Sequence, residues 1–201
     1  MHRPVLITPP APIVTVEQAM AQCRISADAL DATAQAEVAA LLTGYIASAT
    51  EMLDGYGGLL GGRCLGVQTW REDFDCFSRC IPLALGPVKE ITSVTLRNST
   101  GVEETVDTGD FSLRTDGGGR AFCRFRNDYS IPGDLDEVGA VSVTYEAGSD
   151  IVPYRAMQAI LLMVGAWYEN REDTVIGVSV ASLPVSASFD NLVGQLRRSG
   201  L

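Results

Sequence analysis

The sequence predicts an α+β protein: a small helical bundle with an inserted antiparallel β unit and an extended C-terminal tail. Two changes of periodicity lead to this prediction. Apolar residues recur at helical spacing early in the chain, alternate with polar ones from about residue 66 to 147, and return to helical spacing after Pro153. The chain has 201 residues, which is enough to bury a substantial core.

The same changes of pattern divide the chain into four predicted segments. They are a Pro-rich arm (1–13), a helical domain in two pieces (14–65 and 152–174), the β insert (66–151) and the C-terminal tail (175–201). The helices before and after the insert are expected to pack together, because neither can bury its apolar face alone.

The first elements follow from prolines and capping residues. Four prolines within the first dozen residues predict an extended arm, either a disordered leader or a strap on a neighbour. Thr15 with Gln18 three residues later fits a capping box, which predicts a short helix to about Cys23. A long helix over 33–56 follows, with apolar residues at helical spacing.

The β insert shows strict alternation between turn signals. The alternating stretches are "VQTWREDF", "ITSVTLRN", "FSLRT", "AFCRFR" and "VSVTYEAG". Gly, Pro, Asn and Asp clusters separate them. The insert is therefore predicted to hold five to seven short antiparallel strands.

The helix after Pro153 is apolar on every face from Ala159 to Trp167. Such a helix is buried all round. It is either a central helix of its own chain or part of a subunit interface, where aromatic residues are favoured anchors. The predicted interface residues are Ile160, Met163, Val164, Trp167, Tyr168, Glu169 and Arg171.

No catalytic, cofactor or metal site is predicted. His2 is the only histidine, which excludes His-based triads and most zinc hydrolases. Five cysteines at irregular spacing fit neither a disulfide framework nor a zinc motif. Acidic residues such as Glu72, Asp73 and Asp75 lack a motif's spacing and are expected on a solvated face.

Charge and hydropathy limit the partners. With 15 basic and 25 acidic residues, the net charge of −10 argues against a protein held on nucleic acid by phosphate neutralisation. No apolar run approaches the roughly 18 residues of a membrane span, so no membrane partner is expected. Two small basic patches, "RFRND" and "QLRR", leave open a solvent role or a docking role.

The order of the motifs resembles the head-to-tail connector proteins (adaptor or head completion proteins) of long-tailed phages and gene transfer agents. The resembling passages are "VTVEQAMAQCRI", a long Ala-rich helix closed by "GGRCLGVQTW", then "IPLALGPVKEITSVTL" and "VSVTYEAGSDIVPYRAMQAILLMVGAWYENRED". The closing "FDNLVGQLRR" is similar to the family's Leu-rich, Arg-containing end. The resemblance covers about residues 14–198.

The resemblance implies a structural protein of the virion neck, at the head-tail junction, that assembles in the host cytoplasm. It implies a ring, usually twelve-fold, that binds the portal protein, extends the channel for double-stranded DNA and carries a stopper or tail protein. The family's C-terminal segment reaches the portal. Here the docking residues would be Leu183, Pro184, Phe189, Leu192, Leu196, Arg197 and Arg198.

Two alternatives remain open at the level of sequence. One is another phage neck or tail protein, such as a stopper or tail terminator. The other is a metal-dependent hydrolase that uses the scattered carboxylates.

Overall fold

The structure, a computed structural model, describes residues 2–170 and 187–197. Helices and antiparallel strands are both present, which confirms the predicted α+β class. The helices are α1 (Val16–Gln22), α2 (Ala32–Leu53), α3 (Tyr154–Glu169) and α4 (Ala187–Gly194), with a 3-10 turn at Ala27–Ala29. The strands are β1 (Val5–Thr8), β2 (Gln68–Phe74), β3 (Cys80–Leu83), β4 (Val88–Arg97), β5 (Glu103–Thr105), β6 (Phe111–Thr115), β7 (Ala121–Phe125) and β8 (Val141–Ala147).

The described chain forms two compact units. A β unit contains residues 2–11 and 62–150, and a helical unit contains 12–61 and the described residues from 151 to 197. All five alternating stretches of the sequence become strands, and β3 and β5 are added between them.

The β unit holds two antiparallel sheets. The larger has the order β1-β2-β8-β4-β5 and the smaller the order β3-β7-β6. Along β2 and β8 every second residue is buried, and Trp70 lies opposite Tyr145 in the ladder between them. The alternation puts one face of each strand into a shared apolar core, as period two requires.

The N-terminal arm contains strand β1, which pairs with another strand of the same chain. The predicted leader or strap is wrong over Val5–Thr8, because these residues pair antiparallel with β2 and place Leu6 opposite Trp70. Pro4 and Pro9 flank the strand, where a missing N–H interrupts no ladder. The four residues of β1 are exposed at the edge of the larger sheet.

A close backbone contact explains the glycine that follows β8. Gly148 has φ +114°, a conformation that favours glycine, and a Cβ there would overlap the carbonyl oxygen of Gly66. Its N–H donates to the carbonyl oxygen of Pro87 at 2.8 Å. Only glycine lets the strand end pass this close to the chain before β2.

Local capping fixes the starts of the first two helices. The Gln18 N–H donates to the Thr15 hydroxyl at 3.2 Å, and the Gln18 side chain accepts from the Thr15 N–H at 2.9 Å, which confirms the predicted capping box. The Ala34 N–H donates to the Asp31 carboxylate at 2.8 Å. The long helix ends at Leu53, before Gly55 with φ +72°, in agreement with the glycines that are expected to end it.

Candidate functional site

The apolar helix α3 is the central element of the helical unit. It contacts α1, α2 and α4. Its buried residues are Ala156, Ala159, Ile160, Met163 and Val164. On α2 the opposing apolar row Leu42, Ile46, Ala49 and Leu53 is also buried. Helices α1, α2 and α4 of the same chain therefore cover much of α3, the helix whose sequence is apolar on every face.

This placement divides the predicted interface residues. Ile160 and Val164 are 0% exposed and Met163 is 8% exposed, so they are core residues of a single chain. Trp167 and Tyr168 are half-buried, and Glu169 is exposed. Arg171 lies outside the described residues. Among the predicted interface residues that the structure describes, those at the C-terminal end of α3 keep surface that another subunit could contact without repacking the core.

The C-terminal end of α3 is built around an aromatic contact. The rings of Trp167 and Tyr45 meet edge to face, with centroids 5.9 Å apart. Half-burial and the nearby Glu169 carboxylate raise the pKa of the Cys23 thiol, burial being the larger cause. This end therefore combines a partly covered tryptophan with an exposed carboxylate.

The C-terminal segment is helical where it was expected to be extended. Residues 187–194 form α4, which packs on α3; Phe189 and Val193 of this helix are buried, and so is Leu196 just after it. An amphipathic segment with apolar residues at positions i, i+4 and i+7 gains more by this burial than by remaining extended. The Arg155 guanidinium also donates to the Gln195 side-chain oxygen.

The predicted docking residues therefore differ in their surroundings. Phe189 and Leu196 are buried within the helical unit, Leu192 is half-buried and Arg197 is exposed. Leu183, Pro184 and Arg198 lie outside the described residues. The signal for α4 was present in the spacing of Phe189, Val193 and Leu196, but spacing alone does not show which surface covers such a face.

The cysteines of the β unit do not converge. Cys80 lies opposite Arg124, and the next residue, Ile81, lies opposite Cys123, so the two thiols point to opposite faces of the smaller sheet. Cys76 and Cys80 are exposed, whereas Cys123 is buried and its pKa is raised by that burial to about 12. Among residues 2–170 and 187–197, no group of three or more His, Cys, Asp or Glu residues is arranged to hold a metal ion.

One carboxylate expected on a solvated face is buried in the core. Glu72 is 0% exposed because β2 places it on the same face as Trp70 and Phe74. Its Oε1 accepts a hydrogen bond from the Tyr145 hydroxyl and another from the Ala84 N–H at 2.9 Å. Burial, and then the adjacent carboxylate, raise the pKa of Tyr145. This pair joins β2, β8 and the turn after β3.

Directly after β2, Asp75 accepts hydrogen bonds from the Gly139 N–H at 3.0 Å and from His2 at 2.6 Å. These contacts, the backbone one first, lower the pKa of the Asp75 carboxyl. Both buried and exposed carboxylates thus stabilise the fold of the β unit.

Within the part of the chain that the structure describes, no helix is both long enough and apolar enough to cross a membrane.

Comparison with solved structures gives similarity over the whole length of the chain. A chain of the virion of a native gene transfer agent particle matches with a TM-score of 0.68 and 19% identity, covering 100% of this chain and 97% of the other. A chain of the neck of an empty gene transfer agent particle, computed with C6 symmetry, matches with 0.70 and 20% over the same shares. A chain of the native particle's neck, computed with C12 symmetry, gives 0.57 and 19% over 98% and 97%.

No family model and no curated protein sequence matches this chain. At about one identical residue in five, the structural similarity establishes a shared fold. It agrees with the resemblance found in the order of the sequence motifs, which named the same class of particle.

Proposed function

We propose that this chain is a structural protein of a virion neck, a head-to-tail adaptor that forms a ring under the portal protein. The ring extends the DNA channel and provides the platform to which a stopper or tail protein attaches. The observation that carries the proposal is similarity along the entire chain, helical unit and β unit together, to chains of gene transfer agent necks. A fold shared only by one unit would have left the assembly role unsupported.

Symmetry supports the ring. The solved necks were computed with C6 and C12 symmetry, both of which fit a twelve-fold arrangement of identical chains. A closed ring needs two different surfaces on each subunit that match each other. Twelve copies at −10 each would carry about −120 before counterions, so a channel lined by this protein would repel DNA phosphates rather than bind them.

The helical unit is the proposed ring-forming part, and its contact with a neighbour is proposed at Trp167, Tyr168 and Glu169. Trp167 and Tyr168 are half-buried and keep solvent-exposed surface that a neighbour could cover, whereas Ile160 and Val164 are 0% exposed. Trp167→Ala should lower ring formation on heads while the protein remains folded. Tyr154→Ala, which removes an aromatic ring that is 85% exposed on the same helix, is the matched control. Equal rings for both variants would remove Trp167 from the interface.

The C-terminal segment is proposed to contact the portal. Because Phe189 and Leu196 stabilise the helical unit, a deletion of the tail would confuse docking with folding. Arg197→Glu changes only an exposed side chain, and Asn191→Glu places the same charge on exposed α4 surface as a control. Weaker binding to portal-bearing heads with Arg197→Glu, and not with Asn191→Glu, would support the docking role.

Binding to heads tests the function itself. Purified protein is mixed with DNA-filled, tailless heads that lack it, and bound protein is measured after sedimentation. Binding that saturates at the number of copies in one ring per head supports an adaptor. Binding to isolated tails but not to heads would favour a stopper or tail terminator, and saturable Mg²⁺, Mn²⁺ or Zn²⁺ binding by calorimetry would favour a hydrolase.

A further inference from the structure

The outward face of the smaller sheet is free of carboxylates. By alternation it consists of Cys80 and Pro82 on β3, Ser112 and Arg114 on β6, and Phe122 and Arg124 on β7. Phe122 lies opposite both Pro82 and Arg114, and Arg124 lies opposite both Cys80 and Ser112. The buried residues of these strands point the other way, into the core. We call this surface the arginine face.

The positive charge of the arginine face is not neutralised within the described chain. Arg124 donates to the Asn127 side-chain oxygen at 3.1 Å, which is a neutral acceptor. The described residues hold no ion pair of Arg114 or of Arg124. The chain has a net charge of −10, whereas this face places two arginines beside a half-buried phenylalanine. It is a small basic surface on an acidic protein.

The opposite kind of surface lies at the edge of the larger sheet. Strand β5 is an edge strand whose three residues are all exposed, and it begins with Glu103 and Glu104. Glu103 lies opposite Arg97, but the Arg97 guanidinium pairs with Asp136 at 3.3 Å. Val102, directly before the strand, is 60% exposed. We call Val102, Glu103 and Glu104 the acidic edge.

We propose that the arginine face binds the acidic edge of a second copy of this chain. Arginine meets glutamate, and Phe122 meets Val102, so charge and apolar area are complementary in the same contact. Because the two surfaces differ, the contact is head-to-tail and can be repeated around a closed ring. The inference rests on the proposed ring and names one contact by which neighbouring subunits recognise each other.

A nucleic acid is a less suitable occupant of the same face. A duplex binds by neutralising several phosphates, and two arginines are few for that purpose. Without these two arginines the rest of the chain is still more acidic than the whole, so it opposes the approach of DNA. A second copy is also acidic overall, so its match with the arginine face is confined to the acidic edge itself.

Complementary charge reversal tests the proposal. Variant A carries Arg114→Glu and Arg124→Glu, and variant B carries Glu103→Arg and Glu104→Arg. Each alone brings like charges together at every junction, whereas an equimolar mixture of A and B can form an alternating ring in which every junction is complementary. A chain with all four substitutions is complementary to itself.

Two measurements are made on the full chain. Ring density under the portal is counted by electron microscopy of heads mixed with each variant, and self-association is measured by equilibrium sedimentation at low salt, where exposed charges are least screened. We expect A or B alone to weaken association about 10- to 100-fold, and the mixture and the fourfold variant to restore it. Thermal unfolding checks that each variant is folded, and the single change Arg114→Glu, at an exposed side chain, replaces variant A if Arg124→Glu unfolds the protein.

The outcomes separate this contact from the proposed function. If variants A and B each form rings as the wild type does, the proposed contact is wrong. It is also wrong if the mixture associates no more strongly than either variant alone. Both results leave the adaptor role intact. Heads that bind no wild-type protein would count against the adaptor role, and sedimentation would then decide the contact alone: a wild-type chain that stays monomeric at low salt overturns it. Duplex DNA binding that variant A loses would reassign the arginine face to nucleic acid.

Discussion

The buried contact between Tyr145 and Glu72 gives a sharp test of how the β unit is held together. Tyr145→Phe removes one oxygen atom and leaves the ring in place, so little apolar burial is lost. The hydroxyl donates to a carboxylate that is 0% exposed. A hydrogen bond to a charged group contributes about 1.5–3 kcal/mol, so we expect the free energy of unfolding of the β unit to fall by about 2 kcal/mol.

The chain offers a clean reporter for this measurement. It has two tryptophans, with Trp70 in the β unit and Trp167 in the helical unit. In a Trp167→Phe background, Trp70 fluorescence during urea unfolding follows the β unit alone. With a urea dependence of roughly 1–3 kcal/mol per M, the midpoint should fall by roughly 1 M.

Two controls isolate the contact. Tyr129→Phe removes a hydroxyl for which the described chain shows no hydrogen bond, and it should shift the midpoint much less. In a Glu72→Gln background, Tyr145→Phe should cost only about 1 kcal/mol, because the bond lost is then neutral. A Tyr145→Phe shift no larger than that of Tyr129→Phe, or one unchanged by Glu72→Gln, would show that this hydrogen bond does not stabilise the β unit.

Three further predictions follow from burial and pKa. Ile160→Ala, at a 0% exposed site, should destabilise the helical unit by about 2–5 kcal/mol, whereas Tyr154→Ala should stay within about 0.5 kcal/mol; unfolding followed by Trp167 fluorescence would show similar shifts if α3 were not central. The lowered pKa of Asp75 stabilises the β unit above the ordinary carboxyl pKa of about 4, and this contribution is lost as the pH falls through the lower pKa of the folded state. Asp75→Asn should therefore flatten the acid side of a stability profile, and parallel profiles would contradict this. At pH 8 a thiol reagent should label exposed Cys76 long before Cys123, whose pKa is about 12, and equal labelling rates would argue against the core position of Cys123.

Local signals in the sequence predicted the local structure well. The Thr15 capping box, the strands around Trp70 and Tyr145 and the start of α3 after Pro153 each depend on a few neighbouring residues, and all are present. The alternation of β2 also indicated that Glu72 is buried, since Glu72 shares its face with Trp70. A solvated side chain was expected instead because glutamate is usually exposed, and that expectation was wrong.

Features that depend on distant partners were beyond the sequence. Prolines show that the N-terminal arm is extended, but not that Leu6 pairs with Trp70. The spacing of Phe189 and Val193 shows an apolar face, but not that α3 covers it. The "RFRND" patch left its role open, because Arg114 joins Arg124 only through the register of β6 with β7. Pairing and packing are non-local choices, and one sequence does not specify them by spacing alone.

We propose that this chain forms the ring directly below the portal. Cryo-electron microscopy of portal-bearing heads, reconstituted with the purified protein and reconstructed without imposed symmetry, tests it most directly. We expect a single closed ring of twelve copies in contact with the portal, with one helical unit and one β unit fitting the density of each subunit. Bare portals, or density for this chain only further down the tail, would contradict the adaptor role.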